Sequence, residues 1–252
     1  MPEEYPNHSV VIKENVEPFA CPVLIDIDGT LTDDRAVPQI DPRHPLGNAL
    51  FAILVDELQA GGRRAEDAVR DLHAFTVEHV FWDYGDYIPH FGLDAARVWA
   101  RFRAWHAEHI HAWPDGVAMV RALHRRGHPL HVISNNPLTG CLLKLEVAGL
   151  GSLTGSPWFG RIFASNLARG QKGRPEFWAR ALAGADLSPD RVVVVGNDRR
   201  EDYEVPRTLG VGRVFLVDRA TPAPARPADG LTVVPSLEQV PALLAAEERI
   251  TA

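Results

Sequence analysis

The chain predicts an α/β fold: an open parallel sheet with helices on both faces, joined to a smaller all-helical domain. Short β-branched apolar runs alternate with helical stretches, the pattern of parallel crossovers. The interval from about Asp33 to about Trp113 breaks that alternation and carries helical periodicity alone. A chain of 252 residues can bury one substantial core and still carry a smaller appended domain.

The predicted strands are Val23 to Ile27, His131 to Ser134, Arg161 to Ala164, Arg191 to Val195 and Arg213 to Val217, with a weaker one at Leu231 to Val234. Between them fall predicted helices at Gly116 to Arg126, Leu138 to Ala148, Glu176 to Ala183 and Asp202 to Leu209. The helical interval contains Leu46 to Gln59, Arg64 to Val80 and Leu93 to His109. This divides the chain into a sheet domain of residues 1–32 and 114–252 and a helical domain of residues 33–113. An insertion directly after the first strand rises over that strand's carboxyl end, where ligands bind in open α/β sheets. The segment Thr221 to Pro227 reads as a Pro-rich loop before the last strand and helix, and Phe81 to His90, dense in aromatics and acids between two helices, as either a ligand-facing specificity loop, with Asp83, Tyr84 and Asp86 foremost, or a hydrophobic connector.

The first strand ends in Asp26-Ile27-Asp28-Gly29-Thr30. Two carboxylates one residue apart at a strand's carboxyl end are costly unless a cation or an incoming group uses them. A surface turn is the plain alternative, since Asp and Gly are ordinary turn formers. Three later segments, each after a predicted strand, weigh against it: Val132-Ile133-Ser134-Asn135-Asn136, Gln171-Lys172-Gly173-Arg174-Pro175-Glu176, and Val192 to Asp202, which contains Gly196-Asn197-Asp198.

Taken in order, these four segments resemble the signatures of the haloacid dehalogenase-like hydrolase superfamily, over a span from about Pro22 to about Val217. The resemblance implies a Rossmann-like core and a helical cap inserted after the first motif. A cap excludes bulk water and sets which leaving group fits. It further implies Asp26 as the nucleophile that forms an acyl phosphate, and Asp28 as general acid and then base, with its main-chain carbonyl on a metal. Gly29 permits the tight turn and, with Thr30, is expected to bind substrate. Ser134 matches the second motif, where its hydroxyl and neighbouring amides can hold phosphoryl oxygens; Asn135 is expected to border the leaving group. Lys172 matches the basic residue of the third motif, with Gly173 in place of a family proline and Trp178 in place of the family aromatic; Arg174 is the competing cation. The fourth motif leaves the metal ligand open between Asn197 and Asp198. Mg²⁺ prefers anionic oxygen, which favours Asp198, and Asp202 is a further ligand, an acid that supports the ligands from behind, or a helix N-terminal acid. The expected metal set is Asp26, Asp28, Asp198 and Asp202.

The resemblance implies a Mg²⁺-dependent phosphatase acting on a small phosphorylated metabolite. A phosphomutase, a dehalogenase or a non-catalytic binding protein of the same fold are the alternatives; Asp28 weighs against a dehalogenase, which has no need for a second acid. The net charge of −7 and pI near 5.9 give no electrostatic footprint for nucleic acid or an anionic membrane. No apolar run reaches the length of a membrane span. The polar N-terminal stretch has no signal-peptide core, and Cys21 and Cys141 do not form a disulfide framework, so a cytoplasmic enzyme is expected. His106, His109 and His111 lack the companion ligands of a familiar zinc site. The oligomeric state is not legible.

Overall fold

A computed structural model describes residues 20–33 and 49–251. In chain order the elements are β1 (Val23–Ile25), β2 (Thr32–Asp33), α1 (Ala49–Ala60), α2 (Ala65–Glu78), α3 (Tyr84–His90), α4 (Ala95–His109), β3 (His111–Ala112), α5 (Pro114–Arg125), β4 (Leu130–Ile133), α6 (Leu138–Val147), β5 (Arg161–Phe163), α7 (Pro175–Gly184), β6 (Val193–Gly196), α8 (Val205–Arg207), β7 (Arg213–Val217), β8 (Ala225–Ala228), β9 (Leu231–Val234) and α9 (Val240–Thr251).

Seven strands form one sheet in the order β5-β4-β1-β6-β7-β9-β8. All neighbouring pairs are parallel except β8 with β9. β1 lies between β4 and β6, with Val23 level with Leu130 on one side and Val193 on the other. The sheet therefore reverses its strand order around β1, which puts the crevice for a ligand at the carboxyl end of that strand. Side chains alternate between faces with period two. Val23, Ile25, Val132, Val193 and Val195 pack in one core layer with α5, α6 and α9, while Leu24, Ile133, Val194 and Val214 pack in the other with α7. Both layers are sealed, as continuous β-branched runs require, and each fully buried Val, Leu or Ile contributes roughly 1.5–3 kcal/mol.

The chain leaves the sheet through β2 and returns through β3, which pair antiparallel with Thr32 opposite Ala112 and Asp33 opposite His111. Helices α1 to α4 lie between these crossings and share a core of their own, built on Leu54, Leu72, Phe75, Tyr87, Val98 and Phe102. Leu143 of α6 joins that core. The predicted helix starting at Leu46 falls partly outside the described residues, which resume at Ala49.

Three local expectations are corrected. Residues 84–90 form a helix rather than a connector, because Asp83 and Asp86 make a reciprocal cap: the Asp83 main-chain N–H donates to Asp86 Oδ2 at 2.7 Å, and the Asp83 side chain accepts from Gly85 N. Its tyrosines pack on Phe51, Phe75 and Trp82. The Pro-rich loop closes into β8, where Pro227 is tolerated because an edge strand leaves one side free of ladder bonds. The predicted helix from Asp202 begins earlier, as a π-helical turn over Arg199–Glu204 that leads into α8. Both cysteines are free thiols, and among the described residues no helix is long and apolar enough to cross a membrane.

Candidate active site

Asp26 follows the last residue of β1, its main-chain N–H donating to Val195 O at 2.9 Å on the neighbouring strand. It is 4% exposed. One oxygen, Oδ1, meets the ammonium of Lys172 at 2.5 Å, and the other accepts from the Thr30 hydroxyl at 3.0 Å. Burial pushes the Asp26 carboxyl up to about 7; the opposing Lys172 charge pulls it down, and the charges of Asp202 and Asp28 add to the rise.

Lys172 reaches Asp26 from the loop that precedes α7. Trp178, one turn into that helix, donates from its indole N–H to Lys172 O at 2.9 Å and so anchors the loop. The Lys172 ammonium also meets Asp202 Oδ1 at 2.7 Å. Burial disfavours its charge, but the two carboxylates together hold its pKa above the usual lysine range. Asp202 is fully buried, and its second oxygen accepts the main-chain N–H groups of Asn197 and Asp198 at 3.1 and 3.0 Å. All of this acid's oxygens are thus engaged with the protein. A Cβ at Gly196 would lie 2.2 Å from the Asp202 carboxyl carbon, so only glycine leaves room for it.

The turn after Asp28 is tight. Gly29 has φ +72 and donates to Thr32 O at 2.8 Å; a Cβ there would sit 2.2 Å from the Asn197 side chain. Glycine is required on both counts. Thr30 is buried, and its hydroxyl also lies 3.4 Å from Asn197 Oδ1. The Asn197 amide therefore faces the Asp26 end of the turn. Asp198 is exposed, and its carboxylate caps the following helical turn by accepting from Glu201 N at 2.7 Å.

Ser134 is 1% exposed at the end of β4, with its Oγ accepting from the Asn136 main-chain and side-chain N–H groups at 3.1 and 3.0 Å. Asn135 is used at both ends of its amide: it donates to Glu201 Oε2 at 2.6 Å and accepts from Lys172 N at 2.7 Å. It ties the second and third segments together. The structure thus brings Asp26, Thr30, Lys172 and Asp202 into one bonded cluster, links Asn135 and Asp198 to it through main-chain groups, and places Ser134 and Asp28 beside Asn136.

Three residues to which the motif reading gave no role, Asn136, Lys144 and Arg219, enter the site. The Asp28 carboxylate ion-pairs with Lys144 through Oδ1 and accepts from the Asn136 amide through Oδ2. Asn136 precedes α6 and Lys144 lies within it, so the two meet at Asp28 only through the fold. Arg219, just past the carboxyl end of β7, donates to Gly29 O at 2.9 Å and Thr30 O at 3.2 Å, pairs with Asp115 at 3.0 Å and stacks on Trp113 with 3.9 Å to the ring centroid. Beside it a cavity of about 580 Å³ opens next to Gly29 and Asn197.

The histidines of α4 are used locally. His106 Nδ1 bonds Phe102 O at 2.8 Å, and His109 bonds Trp105 O and stacks on that indole. Burial lowers the His106 pKa to about 4.

Among solved structures, the chain is similar to a HAD phosphatase from Thermococcus onnurineus (19% identity, 89% of this chain and 97% of that one, TM-score 0.54). It is also similar to a 2-haloacid dehalogenase from Pseudomonas syringae pv. Tomato DC3000 (17%, 91% and 100%, TM-score 0.56). The putative HAD-hydrolase YfnB of Bacillus subtilis, solved with bound magnesium, is similar at 17% identity over 90% and 99%, TM-score 0.52. At these identities the likeness establishes the fold. No curated protein matches by sequence. A family model for haloacid dehalogenase-like hydrolases matches residues 23–210, the span that holds every residue of the Asp26 cluster, and the chain belongs to that family.

Proposed function

We propose that this hydrolase is a Mg²⁺-dependent phosphatase that cleaves a small phosphorylated metabolite through an aspartyl-phosphate intermediate. The observation that carries the reading is the buried Asp26 carboxylate, held by Lys172 and Thr30 at the carboxyl end of β1, with a second acid, Asp28, two residues on.

In the first step a carboxylate oxygen of Asp26 attacks phosphorus, the ester P–O bond breaks, and the leaving alkoxide takes a proton from Asp28 to depart as the alcohol. In the second, a water gives its proton to Asp28 and attacks phosphorus, the P–O bond to Asp26 breaks, and phosphate leaves with Asp26 again a carboxylate. Lys172 offsets charge on the nucleophile and the phosphoryl group. Ser134 and the turn at Gly29 and Thr30 are the remaining phosphoryl-binding groups.

The donor set suits a hard divalent cation. Asp26, Asp28 and Asp202 bring three acids to two lysines, Lys172 and Lys144, and the surrounding donors are oxygens. Asp26, the Asp28 carbonyl and one residue of the 197–198 pair would hold Mg²⁺, which when bound neutralises phosphoryl charge. The side-chain placements favour the Asn197 amide oxygen over Asp198, whose carboxylate caps a helical turn. With its oxygens on Lys172 and two main-chain amides, Asp202 acts as the anchor of that lysine. Residues 33–113 are the cap, and residues 1–32 and 114–252 the core.

The test is phosphate release from an aryl phosphate and a panel of phosphorylated metabolites, with Mg²⁺ and with chelator, by the wild type and Asp26→Asn. Turnover should need the metal and fall by about 10⁴-fold or more in the variant. Absence of Asp26-dependent release across the panel overturns the reading, and halide release from 2-haloacids would replace it with the dehalogenase alternative.

A further inference from the structure

Helix α6 is buried almost all round: Thr139, Gly140, Cys141, Leu142, Leu143 and Leu145 are all closed from solvent. A lysine in such a helix needs a partner. Lys144 does not extend its head into water; its side chain is 12% exposed and its ammonium ends on Asp28 Oδ1. The same ammonium lies 3.4 Å from Asn136 Oδ1, while the Asn136 amide nitrogen donates to Asp28 Oδ2. Asp28, Asn136 and Lys144 close a triangle in which each carboxylate oxygen has its own donor.

The platform that presents these donors is itself fixed. Asn136 Nδ2 also donates to Ser134 Oγ, Leu138 N donates to Asn166 Oδ1 at 3.0 Å, and Thr139 N donates to Asp83 Oδ2 at 3.0 Å. A carboxylate restrained at both oxygens by groups on one rigid strand–loop–helix unit has lost its rotamer freedom.

We infer that Lys144, with Asn136, is a positioning residue that fixes the Asp28 carboxylate for proton transfer to the leaving group and from the attacking water. This rests on the phosphatase reading and adds to it a residue that lies outside all four sequence segments.

Proton donation matters for an alkyl leaving group and little for an aryl one, whose oxide leaves unaided, whereas hydrolysis of the aspartyl phosphate needs Asp28 as base with either ester. In Lys144→Met, kcat/KM for an alkyl phosphate should therefore fall at least about 10-fold more than kcat/KM for an aryl phosphate. With the aryl ester, the variant should release a burst of phenol stoichiometric with enzyme before a slowed steady state. Lys144→Arg should restore part of the alkyl activity. Equal losses with the two esters, or no loss with either, overturn the inference. A wild type without Asp26-dependent turnover would instead defeat the phosphatase reading. Positioning is then judged from a crystal structure of Lys144→Met, where an unmoved Asp28 carboxylate overturns it and a displaced one supports it.

Discussion

Glu57 in the helical unit and Asp26 at the end of β1 are equally withdrawn from water, 3% and 4% exposed, and both are held by cations. Glu57 meets two guanidiniums, Arg97 and Arg101, and Arg101 also pairs with Asp56. Two acids face two bases, and the arginine side chains, 53% and 37% exposed, keep their heads in water. Around Asp26 the ammonium of Lys172 is shut in at 4% exposure and shared between two acids, with Asp28 and Lys144 alongside. The first cluster is balanced and solvated. The second carries surplus negative charge in a low-dielectric setting, where a cation or a phosphoryl group interacts strongly. A buried acid by itself therefore says little about chemistry; the charge left over after its partners are counted says more.

The largest effect that would sharpen this contrast is expected from Lys172→Met. It leaves Asp26 and Asp202 facing each other in the core, so turnover should fall by about 10²–10³-fold and stability by about 3–5 kcal/mol, measured by steady-state kinetics and denaturant titration. Glu57→Ala should cost about 2–4 kcal/mol in the same titration, because its guanidiniums can turn to solvent, with kcat held within about twofold. A kcat loss rivalling that of Lys172→Met would break the comparison.

His106 gives a smaller effect, linked to pH. Its folded value, about 4, lies below the ordinary 6.5, so as pH falls the unfolded chain takes up the proton first. Its contribution is intact above about 6.5 and drains away toward about 4, a loss of about 2 kcal/mol between pH 7 and 5. Thermal melts of the wild type should show that loss, and His106→Gln should flatten it. The smallest effect is expected from Asp83→Ala, which removes the cap of α3 and the bond to Thr139 N, at about 1–2 kcal/mol.

The sheet and the core of the site were legible because they are written locally. β1, β4 and β6 are apolar, largely β-branched runs that stop at polar residues, and the residues at each stop are among those that meet around Asp26 and Asn136. Lys144 was not legible, since its partner is 116 residues away and a lone lysine in an apolar helix has no local signature. Asp202 could be read as a ligand, a supporting acid or a helix cap; that it supports Lys172 in particular appears only when Gly196 lets it tuck beneath the strand end. The cap of α3 was present as Asp83 and Asp86 at i and i+3, but the aromatic density around it suggested a connector. β8 was hidden by its prolines, which an edge position tolerates.

The pairing of β2 with β3 has a practical consequence. Where the chain departs at Asp33 and where it comes back at His111 are cross-strand neighbours, about 5 Å apart at their Cα atoms. A two-residue hairpin turn can bridge that gap, so a helical insert of another length can be joined at these two ends without stretching the sheet. Such an insert has to cover Leu143 and Leu153, on which the present helices pack, and to replace the bond that Asp83 accepts from Thr139 N.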